Sequence, residues 1–408
     1  MKWKLSGAHS PMAGMRIPFS LAFTIAARIR GPLAPEKLGG ALERLRRRHP
    51  LIAVRIAPDE GGACFTTEGV PPVPLRVAER QSDDNWLQVV EHEIAQPFDY
   101  YAGPFFRCIC LRGADVSDLI LVFDHITTDG RSSMYALRDL LRLLVDDSLE
   151  LEPLPPPRMA ERIPAPMAVK IRETVSALRA EAPEGRGRPP AADLSEPMRI
   201  LPIAFDEAET TALVARSRSE GTTVQAALCA AFALPFAELH PDAPVRFVET
   251  PIDIRARLVP PVGEEFGNYI SLALVRVDCT PGRAPWEIAR AARRALEAVT
   301  DEQLFTVPIV MMNVADRPLP VPPISVVYDL SISNVGRLDI PERYGPLRLE
   351  SIYGPTLNIS HAGHRILAVT TFAGRMRCTF ASRDPEGEWV VRRAREWIAA
   401  MLRAGGES

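Results

Sequence analysis

A histidine, an aspartate and a glycine close the stretch Leu119-Ile120-Leu121-Val122-Phe123-Asp124-His125-Ile126-Thr127-Thr128-Asp129-Gly130, and their types and spacing suit proton transfer. Imidazole is the one side chain whose unperturbed pKa lies near neutrality, so His125 can take a proton from a hydroxyl or an amine and pass it on. Asp129, four residues on and beside the conformationally free Gly130, can turn back into the body and brace the loop. A second pair, His361 and His364, stands in Ser360-His361-Ala362-Gly363-His364. No carboxylate or cysteine cluster lies near it to complete a zinc shell, so a hairpin turn is expected there and no metal site. The alternative for His361 is to face a bound substrate.

Elements around His125 must hold it. Leu119 to Phe123 is apolar enough for a buried strand, and Ser132 to Asp147 repeats Leu137, Leu140, Leu141 and Leu144 at helical spacing. His125 therefore falls at a strand-to-turn junction. Upstream, Phe19 to Arg30 reads as a strand and Pro35 to Arg48 as a helix with Leu38, Leu42 and Leu45 on one face. Ile52 to Ile56 and Cys64 to Thr67 flank Asp59-Glu60-Gly61-Gly62 as a hairpin, Ser82 is placed to cap the helix carrying Trp86, Val90 and Ile94, and Phe105 to Leu111 pairs with Asp118 to Asp124.

A chain of 408 residues exceeds one average domain, and two units of roughly 200 residues are expected. The division falls at residues 151–197, where Pro153, Pro155, Pro156, Pro157, Pro164, Pro166, Pro183, Pro189, Pro190 and Pro197 surround one short helical patch. Proline removes backbone donors and resists helix, so this segment reads as a linker crossing a surface between residues 1–150 and 198–408. The second unit opens with a strand (Arg199 to Phe205), a helix from Asp206 and an apolar helix from Thr222 that Pro235 kinks or ends. Strands Val245 to Thr250 and Ile270 to Val277, a helix Trp286 to Val299, a hairpin around Ala373-Gly374-Arg375 and a last helix carrying Val390, Trp397, Ile398 and Met401 follow. Both units mix strands and helices, an α/β class, and the halves could be distant structural copies.

Composition narrows the partners. With 47% hydrophobic and 24% charged residues and a net charge of −3, the chain has the make-up of an ordinary soluble protein and no cationic surplus for nucleic acid. Six dispersed cysteines suggest reduced core thiols and a cytoplasmic setting, and Cys108 and Cys110 share a strand face as core residues. Lys2 and Lys4 precede an apolar run, Ile17 to Ile29, but Pro18 and Arg28 interrupt it and it is too short to span a bilayer, so secretion is not expected. Arg44, Arg46, Arg47 and Arg48 form a basic helix end that favours the helix dipole, with docking of an acidic carrier protein or a nucleotide phosphate as the alternative.

The His-x-x-x-Asp-Gly pattern resembles the signature of the chloramphenicol-acetyltransferase-like superfamily, which includes nonribosomal peptide condensation domains, plant-type alcohol acyltransferases and polyketide-associated acyltransferases. Further segments match in the same order. Arg47-Arg48-His49-Pro50-Leu51, Pro97-Phe98-Asp99 with Gly103-Pro104-Phe105-Phe106-Arg107, Thr250-Pro251-Ile252-Asp253-Ile254-Arg255-Ala256-Arg257 with Phe266-Gly267-Asn268, and Ser333-Asn334-Val335-Gly336-Arg337 are all similar to segments of this family.

The resemblance implies two α/β subdomains forming a pseudo-dimer, with an active-site tunnel between them and His125 midway as general base. An acyl thioester, on coenzyme A or an acyl carrier protein, would serve as co-substrate, with no permanently bound cofactor and no covalent acyl-enzyme. The acceptor would be a small alcohol or amine, in lipid or secondary-metabolite biosynthesis, and an acyl or peptidyl carrier protein is a further partner it allows; nucleic acid and a membrane span are not expected. Asp129 would pair with Arg255, or next with Arg257, in a structural salt bridge, and Gly130 would keep the tunnel wall open. Asn268, Ser331, Ser333 and Asn334 are candidate oxyanion or substrate contacts.

Family members often carry two adjacent histidines, and Asp124 stands in the first place here. The departure marks a branch and speaks against a strict peptide-bond-forming role. Its carboxylate would raise the His125 pKa if the two side chains met, although strand neighbours point to opposite faces. The alternative to an acyltransferase is a catalytically silent member of the same fold used as a docking module for an assembly-line enzyme.

Overall fold

The structure is a computed structural model that describes residues 2–4, 21–59, 62–155, 159–171, 173, 197–313, 328–358 and 365–403. In the first half, strands β1 (Lys2–Lys4), β2 (Ala22–Arg30), β3 (Arg55–Asp59), β4 (Gly62–Thr66), β5 (Leu75–Glu79), β6 (Phe106–Arg112) and β7 (Val116–Asp124) accompany helices α1 (Pro35–Arg48), α2 (Asn85–Ala95) and α3 (Gly130–Val145). A single turn, α4 (Met159–Arg162), follows. In the second half β8 (Arg199–Ala204), β9 (Val245–Asp253), β10 (Ile270–Asp278), β11 (Leu330–Arg337), β12 (Arg343–Tyr344), β13 (Leu347–Leu357), β14 (Arg365–Phe372) and β15 (Arg375–Ser382) accompany α5 (Glu207–Ser219), α6 (Val224–Leu239), α7 (Pro285–Glu297), α8 (Asp301–Asn313) and α9 (Gly387–Arg403).

Two six-stranded sheets carry the molecule, one ordered β12-β13-β2-β7-β6-β5 and the other β10-β9-β11-β14-β15-β8, beside a small sheet β1-β4-β3. The run Leu119 to Asp124 is apolar throughout because both of its faces are covered. Leu119, Leu121 and Phe123 pack with Leu38, Leu42 and Leu45 of α1 and Leu137, Leu140 and Leu141 of α3. Ile120 and Val122 turn the other way, toward Trp86 and Ile94 of α2 and Ile200 and Ala381 of the second half. A strand buried on both faces loses the polar alternation that a half-exposed one shows.

The first-half sheet takes in strands β12 and β13, which lie within residues 198–408. Strand β13 leaves the second half and pairs antiparallel with β2, Leu349 opposite Ile29 and Leu357 opposite Phe23. Leu347, Leu349 and Ile352 bury in the first-half core, covering a strand edge that would otherwise expose an unpaired ladder. Gly354 permits the crossing: its φ is +115°, and a β-carbon there would collide with the Thr24 carbonyl.

Smaller departures have local causes. Met159, Ile163, Ala168 and Ile171, inside the segment read as a surface linker, bury against Ile254, Leu258, Tyr269, Leu304 and Phe305, so its apolar residues outweigh its prolines there. Pro235 stays within α6, whose Ala226 to Ala237 are buried and held by packing. The N-cap of α2 is Asp84, without a side-chain bond, and not Ser82. All six cysteines are free and buried. Among the described residues no single helix is long and apolar enough to cross a membrane.

Candidate active site

Strand β7 ends where Asp124 pairs with Ala22, and α3 begins at Gly130. The two acidic residues of this turn are spent on it. Asp124 is fully buried, accepting the Ile126 amide at 2.9 Å and the Tyr100 hydroxyl at 3.1 Å. Burial pushes its carboxyl up to about 6, against the pull of those two hydrogen bonds. Asp124 thus closes the turn on the face opposite His125.

Asp129 caps α3. Its Oδ1 accepts the Ser132 amide at 2.8 Å and Arg255 Nη2 at 3.0 Å; its Oδ2 accepts the Tyr269 amide at 2.8 Å and lies 2.9 Å from Arg255 Nη1. Burial alone would raise this carboxyl, but the Arg255 charge and these donors overcome it and hold Asp129 below the usual carboxylate range. Arg255 lies over the Tyr269 ring and also donates to Ser132 Oγ at 2.7 Å, while that hydroxyl exchanges hydrogen bonds with both the amide and the carbonyl of Gly267. Arg257, the second candidate, pairs with Asp301 instead.

This stitching brings residues 267–269 of the second half against the first-half turn and delivers Asn268 to His125. Asn268 Nδ2 donates to the His125 carbonyl at 2.9 Å and sits 3.2 Å from His125 Nδ1, and its Oδ1 accepts the Ile270 amide at 3.3 Å. The imidazole is partly exposed and leans on Phe23, with ring centroids 5.2 Å apart. Burial lowers its pKa below 6.5; the Asp129 charge and the carbonyls of His125 and Thr128, which can accept a ring N–H, oppose that. A proton on Nδ1 finds those carbonyls, and that tautomer leaves Nε2 with its lone pair.

Gly130 is tightly surrounded. A β-carbon there would lie 3.0 Å from Pro355 Cγ and 3.2 Å from Val335 Cγ2, so two strands of the second half occupy the space a side chain needs. The other expected contacts divide. Ser331 Oγ donates to Glu249 at 3.0 Å, and Asn334 Oδ1 accepts the Gly336 amide at 2.8 Å. Ser333 shares the Ser331 face of β11 and has no side-chain hydrogen bond among the described residues.

One supporting cluster was not foreseen as such. His49, fully buried, places Nε2 3.0 Å from Asp139 Oδ2 and its ring 5.1 Å from that of Phe266. Arg138 bonds Asp139 and grips Glu264 with both terminal nitrogens, and Arg48 reaches the same two carboxylates at 3.4 Å. The cluster fixes the segment that leads into Asn268. Its sequence signal is Arg48-His49-Pro50 at the end of α1. The basic helix end is accordingly no free patch: Arg44 donates to the Asp146 carbonyl, Arg46 pairs with Glu43, and Arg47 alone of the four is fully exposed. His361 and His364 lie outside the described residues, and among those described no group of three or more potential ligands is placed to hold a metal.

Comparison with known proteins agrees with this architecture. Residues 195–380 match the family model of the phthiocerol/phthiodiolone dimycocerosyl transferase C-terminus. Polyketide synthase associated protein 5 from Mycobacterium tuberculosis superposes with a TM-score of 0.67 at 15% identity, covering 98% of each chain. TRI3 trichothecene 15-O-acetyltransferase from Fusarium sporotrichioides gives a TM-score of 0.71 at 17% identity over 98% of this chain and 95% of that one. Among curated proteins, nonribosomal peptide synthetase kk1B of Curvularia clavata is 25% identical over 270 residues, which are 62% of this chain and 2% of that protein. The chain thus spans a small fraction of the length of the curated synthetases it matches. The structural likeness shows the fold: two subdomains of mixed α/β structure, as the motifs implied.

Proposed function

We propose that this chain, which carries the fold of the chloramphenicol-acetyltransferase-like superfamily, moves an acyl group from a coenzyme A or carrier-protein thioester to a hydroxyl or amine acceptor. The observation that carries this reading is His125, partly exposed at the junction of the halves and held on its Nδ1 side by Asn268 from the opposite half. Nε2 takes the acceptor proton as the acceptor oxygen or nitrogen attacks the thioester carbonyl. The new C–O or C–N bond forms, the oxyanion collapses, the C–S bond breaks, and the thiolate recovers the proton from His125. Ser333 supplies the oxyanion donor in this reading, its side chain being uncommitted among the described residues. This reading requires donor and acceptor to reach the ring from opposite sides.

Asp129, Arg255 and Gly130 act through the frame: they dock the second half onto the turn and set the ring. The polyketide-associated and synthetase relatives support a setting in lipid or secondary-metabolite assembly, and six buried free thiols support a cytoplasmic one.

The test is thiol release from a panel of acyl-coenzyme A and acyl-carrier thioesters with simple alcohols and amines. Release by the wild-type chain that collapses in His125→Ala is the expected result. Silence with every pair, together with carrier-protein binding that survives His125→Ala, would favour the docking module.

A further inference from the structure

One acidic group stands outside this machinery. Glu249 of β9 lies opposite Leu274 of β10 and beside Ser331 of β11, whose Oγ donates to its Oε1 at 3.0 Å. Its strand neighbour Val248, with Leu330 and Ile332 of β11 and Val275 of β10, packs into the core under α6, α7 and α9. Glu249 therefore points to the other face of the sheet, the face on which Val335, further along β11, approaches Gly130. That face is partly open: Leu274 is 40% exposed, and Pro251, Leu272 and Ser333 are half-buried.

The strip leads to the site. Asn268, which holds His125, precedes Ile270, and from Ile270 to Leu274, the partner of Glu249, the strand runs roughly 13 Å at about 3.3 Å per residue. Charged groups facing Glu249 from neighbouring strands reduce to Arg276 on β10, since its other facing positions are Leu272 and Leu274 and those of β11 are Ser331 and Ser333. Arg276 is exposed and makes no ion pair with Glu249, and among the described residues no cation does. Burial pushes the carboxyl up to about 7, against the pull of the Ser331 hydrogen bond. Taking a carboxylate out of water without a counter-charge is costly, and a cationic ligand would supply what the chain withholds.

Resting on the acyl-transfer reading, we propose that Glu249, with Ser331, binds an ammonium group of the acyl acceptor, so that the favoured acceptor is bifunctional, with a basic nitrogen within roughly 13 Å of the attacking atom. The site thereby selects among acceptors and takes no part in the proton transfer.

The probes are 8-aminooctan-1-ol and octan-1-ol, titrated calorimetrically into the full chain at pH 8. The wild type is expected to bind the amino alcohol at least tenfold tighter than the neutral alcohol; Glu249→Gln, which keeps an acceptor for Ser331, should bring the two within threefold, with an unchanged melting temperature. His125→Ala should retain the preference. Equal binding of both probes by the wild type, or a preference that survives Glu249→Gln, overturns the site. Thiol release separates the two ideas: a binding preference without turnover of any thioester sinks the reaction and leaves the site, whereas turnover of both alcohols with equal binding sinks the site and leaves the reaction.

Discussion

The turn 124–130 and the strip formed by Glu249, Ser331 and Ser333 face the same junction but treat their carboxylates in opposite ways. In the turn, the Asp129 carboxylate meets two backbone amides and two nitrogens of Arg255, and Asp124 meets an amide and a phenol. On the strip, Glu249 has one donor and Ser333 has none among the described residues. A buried polar group left unsatisfied costs about 1–3 kcal/mol, so spare bonding capacity is retained where something outside the chain can fill it. The turn is built to be the same whatever is bound; the strip is built to be completed.

The largest effect expected is on the one turn residue left to meet a substrate. His125→Ala should lower the turnover rate by roughly 10² to 10⁴ and leave the melting temperature unchanged. Because burial depresses this imidazole below 6.5, the neutral base persists at neutral pH and the acid limb of kcat should fall below pH 6.5; a limb centred above 7 would show that the ring is governed by a charge outside this account. Next comes Asp129→Ala, which strands Arg255 in a buried site and should cost about 3–5 kcal/mol in denaturant melts. A variant that is dead yet melts like wild type would move Asp129 from frame to chemistry and erase the contrast.

Asn268→Ala is intermediate, since the residue donates to the His125 carbonyl and lies against its ring. Losing it should cost about 1–3 kcal/mol, or roughly fivefold to 150-fold, in kcat, with KM nearly constant. A loss confined to KM would place Asn268 on the substrate and not behind the base. Gly130→Ala should destabilise by about 1–3 kcal/mol, because Pro355 and Val335 must move to admit the methyl group. An alanine variant of full stability would mean that the two halves have slack at this contact.

How much of this was legible beforehand follows the same contrast. The β7 run, the strand-to-turn placement of His125 and the amphipathic α3 are local patterns, and a period or a cap announces them. The pairing of Asp129 with Arg255 was implied only by likeness to a family, because 126 residues separate them and nothing local joins them. Strand β13 was not legible as a first-half strand, since alternation announces a strand without saying which sheet edge it will cover. Glu249 was missed for the same reason: its meaning lies in which face of β9 it occupies and in the absence, among the described residues, of a cation paired with it, both set by β10 and β11.

A pH-dependent effect tests whether the turn accepts a cost to stay closed. Asp124 titrates at about 6 when folded, against an ordinary 3.8. A carboxyl raised by folding contributes stability that is fully present below its unfolded pKa and is lost as pH rises through the folded one. The window is therefore from about pH 4 to above 6, where ionising Asp124 beside the Tyr100 hydroxyl takes on the order of 3 kcal/mol from the folded state. Asp124→Asn keeps an acceptor for the Ile126 amide and removes the charge, so its stability relative to wild type should improve between pH 4 and pH 8. Urea melts of the two chains across that range decide it. A difference that stays flat would mean water or a counter-charge reaches Asp124, and the turn would then be less closed than its hydrogen bonds imply.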